Sequence, residues 1–293
     1  MTERVVRVGG GSGMWGDDLD APRRLVEGGP LDYLMLDFLA EVTMSVLQRQ
    51  KEKDPQQGWA RDIVGILEGV LPAIRDRGVR VLANAGGVNP HACAAAVRAM
   101  LERTGAAGRV RVAVVTGDDL LPRIDALISA GHALRHMETN EPLSAVRDRL
   151  VSANAYIGSA PLAEALAQGA QIVITGRCHD AALAAAPFRH EFGWTATDYD
   201  RLAAATIAGH VIECGAQATG GNCLADWRSV PNLADVGYPI AEMQGDGSCV
   251  ITKHAGTGGR ISRQSVTEQL VYEIGDPRAY ITGDVVSDFT SIH

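Results

Sequence analysis

Short apolar runs alternate, along the first 190 residues, with longer stretches whose apolar residues recur every three or four positions. Each run ends in a polar or glycine-rich turn, and a helical pattern follows most of these turns. The runs begin at Val5, Tyr33, Val79, Val110, Val151 and Val173. Because strands and helices alternating at this spacing form right-handed βαβ units, we predict a largely parallel sheet with helices on both faces, a doubly wound α/β fold. A barrel would need about eight such units, more than these runs provide.

The pattern changes after Phe188. We predict that residues 1–190 form the parallel α/β core and that residues 191–293 form a small C-terminal α+β appendage packed on it, the two parts making one continuous domain. The appendage should contain an amphipathic helix over residues 198–214, then a glycine-rich turn, and later a strand over residues 249–253. That strand is expected to belong to an antiparallel hairpin rather than to another crossover.

The residues that follow the apolar runs should meet at the carboxyl edge of the sheet, where α/β proteins bind ligands. The run at 173–175 is central, because it breaks at Gly176 and delivers four polar side chains before an alanine-rich helix. We predict that one cleft gathers residues 10–13, Asp37, Asn84, residues 116–118 and residues 175–180. The expected substrate-binding residues are Gly11, Ser12, Gly13, Asn84, Gly86, Gly87, Thr175, Gly176, Arg177, Gln217, Thr219, Gly220 and Gly221.

The chemistry expected at this edge is proton transfer on an anionic substrate. Arg177 is the candidate cation, since a guanidinium binds a carboxylate with two parallel hydrogen bonds. The glycine turns could supply backbone N–H groups to a developing enolate oxygen. The expected proton carriers are Asp180, Asp37, His210 and Glu213. Structural readings stay open beside these: Asp37 could cap a helix, His210 could be a packed residue, and Arg177 and Asp180 could simply satisfy each other.

The residues that follow the first glycine-rich turn argue against a dinucleotide-binding motif there. Gly11, Gly13 and Gly16 fit G-x-G-x-x-G after a strand, but acidic residues at 17, 18 and 20 follow where a helix should begin, and they would repel a diphosphate. A smaller ligand is favoured.

His132 and His136 stand four residues apart without an HExxH frame, so no metal site is predicted there. The cofactor, if any, stays unknown.

Composition narrows the class of partner. The net charge is −8 and only 5% of residues are aromatic, so a nucleic-acid partner is not expected. Five cysteines, odd in number and without a C-x-x-C pair, argue against a disulfide framework and indicate a reducing, cytoplasmic location. No apolar stretch has the length of a signal sequence core or a membrane span.

Five stretches, at residues 10–17, 31–41, 172–180, 209–221 and 240–259, together resemble the N-terminal domain of the acyclic terpene utilisation (AtuA) family. The motifs are TGRxxD, GHxxECGxQxTGG and PIAExxxDGSxVITKxxGTGG. The resemblance implies a role in the catabolism of branched terpenoid or other acids, and a further C-terminal domain or a small companion subunit. Cys178 and His179 depart from the apolar or small residues expected between the arginine and the aspartate, so the resemblance favours Arg177 and Asp180 as site residues.

Two main classes of function remain open, beside a third in which a metal-dependent lyase would use His and acidic groups. The first is an enzyme that acts on a carboxylic acid or an acyl-CoA thioester with lyase or hydratase chemistry. The second is a non-catalytic subunit of a larger complex that binds an acyl group or a nucleotide. Alanine-rich helices near residues 92–99 and 181–186 offer flat faces for close helix contact, and a homo-oligomer is therefore expected.

Overall fold

The computed structural model describes residues 4–222 and 226–292, so Cys223 lies outside the described residues. Within these ranges the main sheet has seven strands in the spatial order β4-β5-β3-β2-β1-β6-β7. The strands β1 to β5 are parallel to one another, β6 is antiparallel to β1, and β7 is antiparallel to β6. Their bounds are β1 Val5–Gly10, β2 Tyr33–Leu36, β3 Arg80–Ala83, β4 Val112–Val115, β5 Ile172–Thr175, β6 Ile240–Gln244 and β7 Cys249–Thr252.

Helices cover both faces of this sheet. Their bounds are α1 Ala21–Glu27, α2 Glu41–Lys53, α3 Asp62–Arg77, α4 Pro90–Arg103, α5 Ile124–Ser129, α6 Ser159–Ala167, α7 Ala182–Phe192, α8 Tyr199–Ile212 and α9 Arg263–Leu270. Apolar residues of α1, α2, α3 and α4 share one core, and those of α6, α7 and α8 share the other. None of the helices in the described part of the chain has the length and apolarity that a membrane crossing requires.

The near-continuous apolar strands are explained by these two cores. Successive side chains of a strand point to opposite faces. In β2, accordingly, Leu34 and Leu36 join the core under α3 and α4, whereas Tyr33 and Met35 join the core under α7 and α8. All four are buried. A strand buried on both faces cannot show polar alternation, and this is why the sequence signal was an unbroken run.

The fold class is confirmed: a mostly parallel α/β sheet lies between two layers of helices, with a small antiparallel unit near the C-terminus. That unit pairs β8 Tyr280–Ile281 with β9 Val286–Ser287. β6 and β7, which lie in the predicted appendage, extend the main sheet beside β1. The division at residue 190 stays a prediction.

The predicted strand at 151–157 is wrong. In the structure this segment makes only isolated bridges, from Asn154 to Asp119 and from Ile157 to Cys178. Its β-like composition does not give it a place in the sheet, because β5 is already paired with β4 on one side and with β3 on the other. The segment instead crosses the carboxyl edge of the sheet.

The carboxyl edge contains a topological switch point between β3 and β5. These two strands are neighbours, yet β3 leads into α4 on one face and β5 leads into α7 on the other. Their loops therefore diverge and open a crevice, which is where open α/β sheets bind ligands. The turns after the two strands stay in contact at their start, where the N–H of Gly86 donates to the carbonyl oxygen of Thr175 at 3.1 Å.

Gly10 provides a test of how tightly α8 is seated on this edge. A Cβ added to Gly10 would overlap the carbonyl oxygen of Ile212, the last residue of α8. Gly10→Ala is therefore expected to lower the free energy of unfolding by about 3 kcal/mol, because backbone must move to admit the methyl group. The matched control is Gly65→Ala in α3, where a Cβ meets nothing within 4 Å and the helix should gain stability. Urea unfolding of both variants measures the difference, and equal effects would contradict this packing.

Candidate functional site

Arg177 lies at the centre of the carboxyl edge, in the turn between β5 and α7. Its Nη1 donates to the carbonyl oxygen of Leu39 at 2.6 Å and to Asp180 Oδ1 at 3.1 Å. The guanidinium carbon is 4.2 Å from the centre of the Tyr156 ring, and Tyr156 in turn donates a hydrogen bond to Glu41. Only 4% of the Arg177 side chain is exposed. Burial alone would lower the pKa of Arg177, but the negative charge of Asp180, together with Tyr156 and the charge of Asp37, outweighs burial and the pKa is raised.

Asp37 follows β2 and is held by two neighbouring turns. Its Oδ1 accepts from Asn84 Nδ2 at 2.6 Å and from the Leu39 N–H at 3.1 Å. Asn84 is satisfied at both ends, since its Oδ1 accepts from the Phe38 N–H. The Ser12 hydroxyl donates to the carbonyl oxygen of Asp37 at 2.9 Å. The ends of β1, β2 and β3 are thus fastened to one another by side chains that the sequence assigned to substrate binding or catalysis.

Three carboxyl groups lie in this buried region: Asp37, Asp180 and Glu213. Burial raises the pKa of Asp37 to about 7, and the charge of Glu213 adds to this effect. Burial, followed by the charge of Asp37, raises the pKa of Asp180 well above its usual range. Burial and the charge of Asp180 do the same for Glu213. Because one guanidinium cannot balance three carboxylates, some of these groups hold a proton at neutral pH.

His210 and Glu213 share a hydrogen bond at the end of α8. His210 Nδ1 is 2.9 Å from Glu213 Oε1, and Nε2 is 3.0 Å from the carbonyl oxygen of Gln269. Since a carbonyl can only accept, Nε2 carries a hydrogen, and one further proton lies between Nδ1 and Glu213. Burial lowers the pKa of His210 and raises that of Glu213, so the pair is neutral with this proton on Glu213.

The glycine turns serve packing in this structure. Gly11 N–H donates to the carbonyl oxygen of Met35, and Gly13 N–H donates to Asp17 Oδ2. The N–H groups of Gly86, Gly87, Gly220 and Gly221 likewise donate to carbonyl oxygens of the protein. The sequence analysis predicted that these turns donate backbone N–H hydrogen bonds to a ligand. As folded here, six of their N–H groups are already engaged within the chain.

The remaining predicted residues fall into two groups. Buried oxygen atoms of Thr175, Gln217 and Glu213 have no hydrogen-bond partner among the described residues. Buried polar atoms are rarely left unpaired, so each of the three could receive a hydrogen bond from a ligand or water. Thr219, by contrast, is occupied: its hydroxyl donates to Ala216 and its carbonyl oxygen accepts from Arg260. Gly220 lies against Val230, and a Cβ on Gly221 would press on Ala216.

Asp118 connects the Arg177 turn to an open cleft. Its Oδ2 accepts from the Arg177 N–H at 2.9 Å and from Asn154 Nδ2 at 2.8 Å. Gly176 is a glycine because a Cβ would lie 2.6 Å from this carboxylate. The cleft beside Asp118 has a volume of about 300 Å³ and is also lined by Lys51 and His91. This volume is at the lower end of the range for small-molecule pockets.

Several residues complete this region that sequence reasoning did not assign to binding or catalysis, although it placed Asp118 in the predicted cleft. Tyr156 and Glu41 cover Arg177, and Asp118 orients its backbone. Gln269 holds His210, and its Nε2 donates back to the His210 carbonyl oxygen. Only Asp118 carried a sequence signal, as a carboxylate at the end of a parallel strand. The others come from irregular segments or from an unrelated helix, where no periodic pattern marks them.

No group of three or more His, Cys, Asp or Glu side chains in residues 4–222 and 226–292 is placed to hold a metal ion.

Comparison with known proteins gives one finding. The model of the acyclic terpene utilisation family protein AtuA matches residues 6–293. No curated protein and no solved structure matches the chain. The match spans nearly all of the sequence, including the turns that carry Asp37, Arg177 and Glu213. The chain therefore belongs to the acyclic terpene utilisation (AtuA) family.

Proposed function

We propose that this protein is an enzyme of acid catabolism that acts on a carboxylic acid or its acyl-CoA thioester by lyase or hydratase chemistry. The observation that carries the proposal is the buried group of Asp37, Asp180 and Glu213 around Arg177. Ionisable groups with strongly shifted pKa values cluster at catalytic sites, because acid–base catalysis needs a pKa near the working pH. Asp37, with a pKa of about 7, meets that condition.

The chemical step requires one acid and one base. In a hydration, a carboxylate takes a proton from water as the water oxygen bonds to the β-carbon, and a protonated carboxyl gives a proton to the α-carbon. Together these steps add water across the double bond between the α- and β-carbons of an unsaturated acid, and the reverse reaction eliminates water. The charge of Asp37 raises the pKa of Asp180, so the two groups are coupled and act as a pair, in which the protonated member is the acid and the ionised member the base.

Arg177 is the group that receives the negative charge of the substrate. Its present partner Asp180 is a quarter exposed, with 27% of the side chain accessible, so the pair can be reached from outside. A substrate carboxylate that takes the place of Asp180 on Arg177 removes the cation that lowers the pKa of Asp180, so this pKa rises further. Substrate binding therefore favours proton uptake by the carboxyl pair, and this prepares the acid.

The first test is a thermal-shift panel of straight and branched carboxylic acids and their CoA thioesters, followed by turnover assays of the isolated chain. A compound that raises the melting temperature is then titrated calorimetrically at pH 7 in two buffers of different ionisation enthalpy. Uptake of a proton on binding is expected. Binding without proton uptake or turnover would support the non-catalytic subunit instead.

Arg177→Lys tests the role of the guanidinium. A lysine keeps the charge but loses the planar fork, so affinity for a carboxylate found in the panel is expected to fall about 10- to 100-fold. The matched control is Arg103→Lys, because Arg103 pairs with a carboxylate, that of Glu68, through two hydrogen bonds on the exposed face of α4. Ligand affinity and melting temperature are measured on both. A lower melting temperature with unchanged affinity would give Arg177 a structural role alone.

A further inference from the structure

Asp284 is buried although it belongs to the turn between β8 and β9. Only 3% of its side chain is exposed. Its Oδ2 accepts from the Ser159 N–H at 2.6 Å and lies 3.1 Å from His179 Nε2, and its Oδ1 is 3.3 Å from Arg189 Nη1. All three donors belong to the α/β core: the first residue of α6, the turn after β5, and α7. The C-terminal hairpin thus inserts one carboxylate into a set of donors that the core provides.

The core at this point has the properties of a carboxylate-binding pocket. The N-terminus of α6 and the guanidinium of Arg189 favour an anion. Gly158 makes the space, since a Cβ there would lie 2.9 Å from the carboxylate. His179 is buried, and its Nδ1 has no partner among the described residues, so its ring is anchored through Nε2. Despite burial, the bond to His179 and the other donors lower the pKa of Asp284, which keeps the group ionised.

The same hairpin reaches the candidate site from two sides. His179 lies between Arg177 and Asp180 in the sequence, and its backbone N–H donates to the Ile157 carbonyl oxygen at 3.1 Å. The rings of Tyr280, in β8, and of Phe289, just after β9, lie 5.5 Å and 5.6 Å from the ring of His210. The C-terminal segment therefore contacts both the turn that carries Arg177 and the helix end that carries Glu213.

We propose that Ser159, His179, Arg189 and Gly158 form a carboxylate receptor in the core, and that Asp284 is its tethered occupant. Asp284 is then a positioning residue: by seating the hairpin and fixing His179, it holds the turn with Arg177 and Asp180 in place. The receptor is argued from the geometry alone, whereas the positioning role rests on the proposed function of that turn.

Asp284→Ala tests the receptor because it leaves a carboxylate-sized space among unbalanced donors. The melting temperature is expected to fall by about 5–10 °C. Amide hydrogen exchange should accelerate in residues 280–289 and in residues 175–180. Sodium formate should reverse both changes in a saturable manner, because formate can occupy the vacated pocket. Sodium chloride at the same ionic strength should not.

Two variants serve as controls. Asp276→Ala removes an exposed carboxylate of the same segment, whose Oδ1 accepts from the Arg278 N–H at 2.9 Å and lies 3.8 Å from Arg278 Nε, so it should destabilise the protein much less and should not respond to formate. Asp284→Asn keeps the size of the side chain and can still accept from the Ser159 N–H. It should fold, lose less stability than the alanine variant, and show no formate effect because the pocket stays filled.

The outcomes separate the two parts of the proposal. Formate that does no more than chloride would refute the receptor. A hairpin that loosens while residues 175–180 exchange as before, with the infrared carbonyl band of the protonated carboxyls unchanged, would refute the positioning role. Neither readout needs a substrate, so a failure of the proposed enzymatic function would show separately, in the panel and turnover assays.

Discussion

Replacing Arg177 with methionine is expected to lower the free energy of unfolding by about 3–5 kcal/mol at pH 8, since it leaves buried carboxylates without their cation. Methionine fills much of the same space, so the loss comes from charge rather than from a cavity. At pH 5 the loss should be smaller, because Asp37, Asp180 and Glu213, whose pKa values are all raised, are then mostly protonated. Urea unfolding at the two pH values measures both quantities.

The control for this experiment is Arg103→Met. Arg103 binds Glu68 through two hydrogen bonds of 2.8 Å and 3.0 Å, but the pair is exposed to solvent. Exposed pairs contribute at most about 1 kcal/mol, and the Glu68 carboxylate can be hydrated when its partner is lost. A loss at Arg177 no larger than that at Arg103, or one that does not change with pH, would mean that the carboxyl cluster does not depend on this guanidinium.

Asp37→Asn is expected to stabilise the protein at high pH. The folded-state pKa of Asp37 is about 7 against 3.8 for the ordinary group, so folding favours the protonated form. The contribution of Asp37 is therefore favourable at low pH and is lost as the pH rises from about 4 to about 7. At 1.4 kcal/mol per pKa unit, the ionised group costs about 4 kcal/mol at pH 8. Asparagine imitates the protonated form and can still accept from Asn84 and Leu39.

The measurement is the free energy of unfolding at several pH values between 4.5 and 8. The difference between Asp37→Asn and the parent should grow from about 1 kcal/mol at pH 4.5 to about 4 kcal/mol at pH 8. Asp235→Asn, at an exposed position of the short 3₁₀ helix Leu233–Asp235, is the control against which the change with pH is compared. A difference at Asp37 that changes with pH no more than that of this control would contradict the raised pKa of Asp37. If the proposed function is right, the stabilised Asp37 variant is also inactive, because it can neither give nor take a proton.

Sequence reasoning foresaw the centre of the candidate site because parallel strands end at one edge. Asp37, Asn84 and Arg177 each follow a strand, and β2, β3 and β5 are consecutive neighbours in the sheet. When these strands are recognised as parallel neighbours, the turns that follow them must lie at the same edge of the sheet, where they can contact one another. The register between the strands then sets how far each turn projects beyond the edge of the sheet.

Two kinds of feature could not be read in this way. A glycine that allows a helix to approach, such as Gly10 under Ile212, has the same pattern in sequence as a glycine that offers its N–H to a ligand. Tyr156 and Asp284 reach the site from segments without periodicity, whose course depends on tertiary packing that no local propensity encodes. The mistaken strand at 151–157 has the same origin, because its composition fits a strand but the sheet has no free position beside β5.

The pairing of β1 with β6 also governs how this chain can fold during synthesis. Val5 pairs with Gln244 and Gly9 with Ile240, so the contact joins residues separated by most of the chain. A ribosome adding 5–20 residues per second needs on the order of ten to fifty seconds to extend from one partner to the other. During that time one edge of β1 has no partner strand, and unpaired edges invite association with other chains. Completion of the sheet is therefore a late event in synthesis, because β1 can pair with β6 only after residues up to Gln244 have emerged from the ribosome.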